Sequence, residues 1–317
     1  MIIDLFAGPG GIDAAARQLG HPSIGLEWDV NAVATRTAAG LATVHGDVRT
    51  YGPRDFPEGT VLAGGPPCQT FTIAGAGAGR LEMARVIDAV KLMGAGDHVD
   101  TSMFADERTA LILEPLRWAL EDFECGYNAI VLEQVPQALP VWQAYAEVLT
   151  DHGYSVATGI LRAEQYGVPQ TRRRAVLVAR LDGQATLPAP THRPYRKGVP
   201  QHEGDPALLP WLSMGDVLGR GPFTVVSNYG TGGDPKNRGR RTSAEPAFTV
   251  TGKISRLRLV APDGRELPRL THSEAGRLQG FPADWLWSGN DIPQQIGNAC
   301  PVPLAAPLIR AATQPAA

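Results

Sequence analysis

Cysteine is scarce: three in 317 residues, at positions 68, 125 and 300, with no C-x-x-C pair. That excludes a disulfide framework and a zinc knuckle, so a reduced intracellular protein without a metal is expected. No apolar run approaches the roughly 20 residues of a spanning helix, so no membrane association is expected. The opening residues lack a basic region followed by a long apolar stretch, and no secretory signal is expected. A cytoplasmic protein fits these absences. An excess of one charge is also missing. Lys and Arg number 29 against 32 Asp and Glu, net −3, which excludes a wholly basic, histone-like nucleic-acid binder but not a localised basic face. There is no internal repeat and no Gly-X-Y period.

What is present supports a folded chain. Apolar residues make up 43% and charged residues 19%, enough for a real core. The length predicts two unequal lobes. Glycine (36) and proline (27) together form about a fifth of the chain, which implies many turns.

Strands alternate with helices over the first 180 residues. Residues 1–6 (M-I-I-D-L-F) break into Ala7-Gly8-Pro9-Gly10-Gly11, and residues 12–19 read as helix: strand, glycine-rich turn, helix. Further strands are expected at 23–27, 42–45, 61–65, 129–133 and 173–179, and helices at 31–39, 106–122 and 141–152. This alternation predicts a doubly wound α/β lobe with a parallel sheet and crossovers. The helical period is lost after residue 181. Between 182 and 268 twelve Lys and Arg face eight Asp and Glu, a local charge of +4 that leaves −7 elsewhere. We read 182–288 as a smaller, mostly β and loop lobe.

Four clusters carry candidate chemistry. In the first turn, glycines let the backbone bend sharply and approach a ligand. Glu27 ends the second strand at roughly the spacing at which a carboxylate reaches a ribose diol. Asp47 follows the third strand on the same sheet edge, so an adenosine-containing cofactor is expected. The pattern is not G-x-G-x-x-G, which disfavours a nicotinamide dinucleotide. Trp28 is suited either to stacking on an adenine or to packing at the rim. The second cluster, Gly64-Gly65-Pro66-Pro67-Cys68-Gln69-Thr70-Phe71, aims a thiol from a strand end through two backbone-restricting prolines, as for a nucleophile. Cys125 and Cys300 lack such surroundings and read as inert. In the third, Glu133 ends an apolar strand, where a partly desolvated carboxyl suits proton donation to a bound ring. In the fourth, Q-Y-G-V-P-Q-T-R-R-R at 165–174, alternation puts Arg172 and Arg174 on one face and Arg173 on the other. A guanidinium there can bind a base carbonyl or a phosphate.

These motifs come in order: D-L-F-A-G-P-G-G, G-G-P-P-C-Q-T-F, the strand-end E-Q-V, and Q-Y-G-V-P-Q-T-R-R-R. R-L-T-H-S-E-A-G-R-L-Q-G-F-P at 269–282 and Q-I-G-N-A-C-P-V-P at 295–303 follow. Together they resemble the DNA (cytosine-5-)methyltransferases over nearly the whole chain except about 182–245. The resemblance implies a Rossmann-like, S-adenosylmethionine-dependent fold, with 1–181 and 289–317 forming the catalytic domain and 182–288 a target-recognition domain. It assigns Cys68 as the nucleophile toward C6, Glu133 to protonate or hydrogen-bond N3, Arg174 to the base carbonyl and Arg172 to support of the loop or backbone. Phe6, Gly8, Gly10, Glu27, Trp28, Asp47 and Asn298 would line the cofactor cleft. The Gly-rich stretch at 74–80 resembles the family's closing loop.

Gln69, Arg80, Asn228, Lys236, Arg238, Arg240 and Arg241 would meet double-stranded DNA, the arginines and Asn228 as base readers or phosphate partners. A monomer is expected, with a cognate restriction endonuclease as a partner in the cell. Two departures stand out: Gln134 replaces the family's Asn after the glutamate, which shifts support of the Pro-Cys loop, and Ala299 replaces the usual Ser, which removes a hydroxyl. The rival readings are a tRNA cytosine-5 methyltransferase and a catalytically silent DNA-binding relative.

Overall fold

The computed structural model describes residues 1–67, 78–121, 126–227 and 234–314, with residues 78–80 and 235 through their backbone only. Ile2–Leu5 forms strand β1, buried at every position because the sheet is covered on both faces. β2 (Ser23–Glu27) and β4 (Val61–Gly64) pair parallel with it on either side, β3 (Thr43–His45) extends the sheet beyond β2, and β5 (Ala129–Gln134) beyond β4. β6 (Ser155–Arg162) and β7 (Arg173–Arg180) complete the order β3-β2-β1-β4-β5-β7-β6.

Helices α1 (Gly11–Gln18) and α2 (Val30–Ala38) make the first crossovers. α3 (Ala78–Gly94), α4 (Glu107–Ala110) and α5 (Glu114–Leu120) lie between β4 and β5, and α6 (Leu139–Asp151) follows β5. The sheet is α/β as expected but mixed rather than wholly parallel, because β7 runs antiparallel to both β5 and β6. The segment 163–172 holds only a short 3-10 turn. A parallel return needs a dozen or more residues, so the chain folds back on itself. α3 also begins inside the stretch read as a closing loop, taking residues 78–80.

Strand alternation divides the apolar side chains between two cores. Ile3, Leu5, Leu62, Ile130 and Leu132 face one layer with α3, α5 and α6. Ile2, Val61, Ala63, Ala129 and Val131 face the other, with α1. The small lobe is a four-stranded antiparallel sheet, β11-β10-β8-β9, from β8 (Thr224–Val226), β9 (Arg240–Thr242), β10 (Arg258–Val260) and β11 (Glu266–Leu267). α7 (Met214–Leu218) and α8 (His272–Leu278) cover it. Its core also takes Ile296 from α9 (Ile292–Asn298), while Leu304, Leu308 and Ile309 of α10 (Val302–Thr313) return to the large lobe and join the layer of α1.

A charge pair is sealed beneath the first turn. Arg36 donates to Asp13 at 2.6 Å with both side chains fully buried, and further to Thr43 Oγ1 (2.9 Å) and the Ala42 carbonyl (3.0 Å). Gly25 is obligatory beside it: a Cβ there would lie 2.0 Å from the guanidinium. Asp4 is buried next to this pair. Burial first, and the like charge of Asp13 second, push its carboxyl well above the ordinary range, so Asp4 favours the neutral form. Replacing Arg36 with Met leaves Asp13 as an uncompensated buried charge. We expect a loss of about 3–5 kcal/mol, read as a lower urea midpoint; an unchanged midpoint contradicts the pairing.

Candidate active site

β1 lies where the chain sets off in opposite directions along the sheet, toward β2 on one side and β4 on the other. In open α/β sheets the crevice beyond such a point is where ligands bind. The backbone at the end of β1 is bent for close approach. Phe6 has φ 58°, the sole positive value outside glycine among the described residues, and Gly8 (54°) and Gly10 (96°) follow it. A Cβ built on Gly8 would meet nothing nearer than the Phe6 carbonyl at 4.0 Å, so the turn opens onto free space.

Glu27 is buried at the end of β2 and ties this turn down. Gly8 N–H donates to its Oε2 and Asp29 N–H to its Oε1, each at 2.7 Å. Burial raises its pKa, and the two N–H groups oppose the rise. Each oxygen has capacity for a second hydrogen bond, as a ribose diol would need.

Trp28, beside it, is 64% exposed, so it does not pack at a rim in this structure. Asp47 sits just past β3, on the same edge. Arg49 grips it through Nε (3.0 and 3.1 Å) and Nη2 (2.6 Å), which holds its carboxyl below the ordinary range. Asn298 closes α9, exposed, with Oδ1 accepting from Gln294 at 2.8 Å. The open turn, the remaining acceptor sites of Glu27 and the exposed indole fit a nucleoside-bearing methyl donor.

Two strands along, β4 runs into Gly65-Pro66-Pro67. Cys68 and Gln69 lie outside the described residues, as does Cys125. The loop's approach is nonetheless fixed: a Cβ on Gly65 would lie 3.6 Å from both the carbonyl and Oε2 of Glu133. Gln134 accounts for this closeness. Its amide donates to the Pro66 carbonyl while its Oε1 accepts from Val135 N–H. The longer side chain therefore reaches the proline loop, and the substitution for Asn keeps that connection. Gln134→Ala orphans a buried carbonyl, an expected loss of about 1–3 kcal/mol. It also frees the loop, which should slow methyl transfer about tenfold or more. Thermal melts and single-turnover rates check both, and unchanged values in each would count against the clamp.

Glu133 is nearly buried and forms an ion pair with Arg174, Nε to Oε1 at 2.6 Å, the side chains 8% and 11% exposed. Arg174 also donates to the Arg173 carbonyl at 2.7 Å. The antiparallel pairing of β5 with β7 sets Glu133 opposite Val176 and so brings Arg174 within reach. Arg173 points to solvent.

Arg172, grouped with the catalytic residues but assigned to support of the loop or backbone, has a buried guanidinium that donates to three backbone carbonyls: Val250 (3.0 Å), Gly297 (3.0 Å) and Ala299 (3.2 Å). Burial first, then the neighbouring Arg174, lower its pKa to about 9. Such a group positions the chain segments around it and does not reach a substrate. Ala299, whose carbonyl it holds, packs its methyl group into the large-lobe core. Cys300 follows, partly buried. Burial first, and Glu133 second, push its thiol well above the ordinary value, against the pull of Arg172 and Arg174. It is thereby disfavoured as a nucleophile.

Of the expected DNA contacts, Lys236 and Arg240 are exposed and Arg238 half-buried. Asn228 lies outside the described residues and Arg80 is described through its backbone only. Arg241, expected at the DNA, needs a correction: its polar end is turned inward, onto Thr171 and the carbonyls of Pro246 and Ala247. Gln170, inside a quoted motif but given no role, is fully buried. It donates to the Leu278 carbonyl and Gln279 Oε1, each at 2.7 Å, and accepts from Val250 N–H at 2.9 Å. Its signal in the sequence was only its place between Pro169 and the arginines.

No group of three or more His, Cys, Asp or Glu among the described residues could hold a metal ion. No helix there is long and apolar enough to cross a membrane.

Comparison with known proteins adds the following. The sequence matches the profile of the C-5 cytosine-specific DNA methylase family over residues 1–203 and 221–314. It is 31% identical to the Type II methyltransferase M.AplI of Arthrospira platensis, over 96% of this chain and 83% of the relative. It is 28% identical to the Type II methyltransferase M.NlaX of Neisseria lactamica, over 96% and 93%. The S. pombe Dnmt2 methyltransferase structure superposes with a TM-score of 0.65 at 18% identity, covering 97% of this chain and 96% of that one, a likeness of fold.

Proposed function

The chain belongs to the C-5 cytosine-specific DNA methylase family, and from that premise we propose that its sheet-edge site methylates C5 of a flipped cytosine in double-stranded DNA through a covalent bond to Cys68. The protein is a sequence-specific DNA cytosine-5 methyltransferase of the kind found in restriction-modification systems. The observation that carries the mechanism is the Glu133–Arg174 pair beside the proline loop that leads to Cys68.

S-adenosylmethionine would supply an electrophilic methyl group, leaving as a neutral thioether. Phe6, Gly8 and Gly10 would cradle it, Glu27 would accept from its ribose hydroxyls, Trp28 would stack on its adenine, and Asp47 and Asn298 would complete the cleft. The remaining steps belong to the protein. Cytosine C5 is a poor nucleophile until the Cys68 thiolate adds at C6 and turns the ring into an enamine. Glu133 favours that addition by donating a proton at N3, and Arg174 holds the base carbonyl. Once C5 is methylated, loss of its proton to solvent and return of the N3 proton to Glu133 expel Cys68 as thiolate and restore the ring. A stacked base cannot reach this site. Flipping it out costs a few kcal/mol, which contacts from the small lobe offset.

We propose 182–288 as the target-recognition domain and 1–181 with 289–317 as the catalytic one. The +4 charge of residues 182–268 in a chain of −3 supports a DNA-facing small lobe. Exposed Lys236 and Arg240, with Arg238, Asn228, Gln69 and Arg80, are the proposed DNA contacts. We expect the protein to act as a monomer in the cytoplasm, with an endonuclease of the same sequence specificity as its partner.

The test is transfer of label from methyl-labelled S-adenosylmethionine to duplex DNA and, in parallel, to tRNA. Label on cytosine C5 of DNA is the expected result. Label confined to tRNA, or to no cytosine at all, would overturn it.

A further inference from the structure

β9 carries two adjacent arginines, and strand alternation sends them to opposite faces. Arg240 is exposed. Arg241 turns inward, between the rings of Phe248 (4.4 Å from the guanidinium carbon to the centroid) and Tyr195 (5.1 Å). Its Nη1 donates to the Thr171 hydroxyl at 2.8 Å, the Pro246 carbonyl at 2.9 Å and the Ala247 carbonyl at 2.7 Å. The rings are themselves fixed. Tyr195 donates its hydroxyl to Glu245 and meets Trp211 edge-on at 5.2 Å.

Thr171 stands directly before Arg172 and three residues before Arg174. It is bound to the same small-lobe segment by its own backbone: its N–H donates to the Ala247 carbonyl (2.9 Å), and its carbonyl accepts from the Thr249 hydroxyl (2.7 Å). Arg172 then continues the seam onto Val250. A planar cation held by two rings and three acceptors has little freedom. Any shift of β9 is therefore passed to the residues that begin β7.

We propose that Arg241 is a positioning residue that couples the DNA-facing strand β9 to the Glu133–Arg174 pair by holding Thr171. Through Arg240 the outer face of β9 meets DNA; through Arg241 its inner face sets where Arg174 lies when the base arrives. The proposal rests on the DNA-methylating reading above.

The experiment uses the full chain, labelled S-adenosylmethionine and unmethylated plasmid DNA that the wild-type protein labels. Arg241→Met keeps the stem between the rings and removes the charge and donors. We expect the single-turnover rate at saturating DNA and donor to fall about tenfold or more, since misplacement by an ångström suffices for that. The dissociation constant for the DNA should move less than about threefold, because no phosphate or base contact is lost. Arg240→Ala, by contrast, should weaken DNA binding, and more steeply as salt rises. Thr171→Val removes the hydroxyl that accepts from Arg241 and donates, at 3.4 Å, to the Ala247 carbonyl. It should slow transfer, and combining it with Arg241→Met should add little, the signature of one shared contact. Arg241→Lys should recover part of the rate.

An Arg241→Met protein that transfers at the wild-type rate overturns the proposal. So does one whose loss lies wholly in DNA affinity, which would make Arg241 a DNA contact. Should Arg241→Met fail to fold in a thermal melt, Thr171→Val and Arg241→Lys carry the test, and wild-type rates in both overturn it. A wild-type chain that labels no cytosine overturns both readings, whereas labelled DNA with an indifferent Arg241 overturns only this one.

Discussion

Cys68→Ser should abolish methyl transfer, by at least about 10⁴-fold, while DNA binding and the melting temperature stay close to wild type. The size follows from the chemistry. C5 becomes nucleophilic only when a strong nucleophile has added at C6, and an alcohol is far too weakly acidic to form its anion near neutral pH, whereas a thiol is not. Among the described residues no thiol can substitute. Cys300 lies close enough to Glu133, Arg172 and Arg174 to feel their charges, yet burial drives it toward its neutral form. A DNA substrate carrying 5-fluorocytosine separates the two cysteines. Fluorine at C5 cannot leave as a proton does, so the ring stays bonded to the attacking sulfur after methylation. Peptide mapping should find the adduct on Cys68 and none on Cys300. Turnover of normal DNA with no trapped adduct on Cys68 would contradict the covalent route.

The second large effect is expected at Glu133. Glu133→Gln keeps the shape and one acceptor for Arg174 but removes the proton that the base would receive at N3. General-acid assistance is typically worth 10²–10⁴-fold, and we expect a loss of that order in the single-turnover rate with the DNA dissociation constant little changed. Gln is a better probe than Ala. Truncation to Ala would leave the nearly buried Arg174 guanidinium without its 2.6 Å partner. Breaking a buried pair costs about 3–5 kcal/mol, and the resulting instability would obscure the kinetics. Arg174 retains its bond to the Arg173 carbonyl in the Gln variant, so its position survives. A Glu133→Gln enzyme within a few-fold of wild type would remove this carboxyl from the proton path.

Much of this site was legible in the chain, and for reasons that can be named. Strand-end carboxyls, a turn of glycines and a cysteine after two prolines are local patterns, and local patterns survive translation into sequence. β4 (V-L-A-G) and the first four residues of β5 (A-I-V-L) are unbroken apolar runs, so they announce themselves. β6 does not: Ser155–Arg162 (S-V-A-T-G-I-L-R) is half-buried along most of its length, includes a glycine, and lacks a clear alternation. The direction of β7 was equally hidden, since a strand reads the same letters whichever way it is laid beside its neighbour.

Arginine was the hardest residue to place. In the sequence Arg172, Arg174, Arg240 and Arg241 are alike, four cations beside motifs. In the fold one holds three carbonyls, one pairs with Glu133, one faces solvent and one lies between two rings. What decides among these is the partner, and each partner comes from a segment far along the chain: Val250 and Gly297 for Arg172, Thr171 for Arg241. Gln134 shows the converse. As a letter it looked like a departure, and only the position of the Pro66 carbonyl reveals that the extra methylene still reaches its acceptor.

The packing of Gly11 bears on how the enzyme comes into being. A Cβ on Gly11 would lie 2.1 Å from the carbonyl oxygen of Cys300, so the first turn is seated against a residue far along the chain. α1 and α10 share one core layer for the same reason. Until the segment around Cys300 is made, β1 and α1 can form, but the glycine turn has nothing to rest on. Closing so long a span is slow, so competence to modify DNA should arrive only as α10 docks.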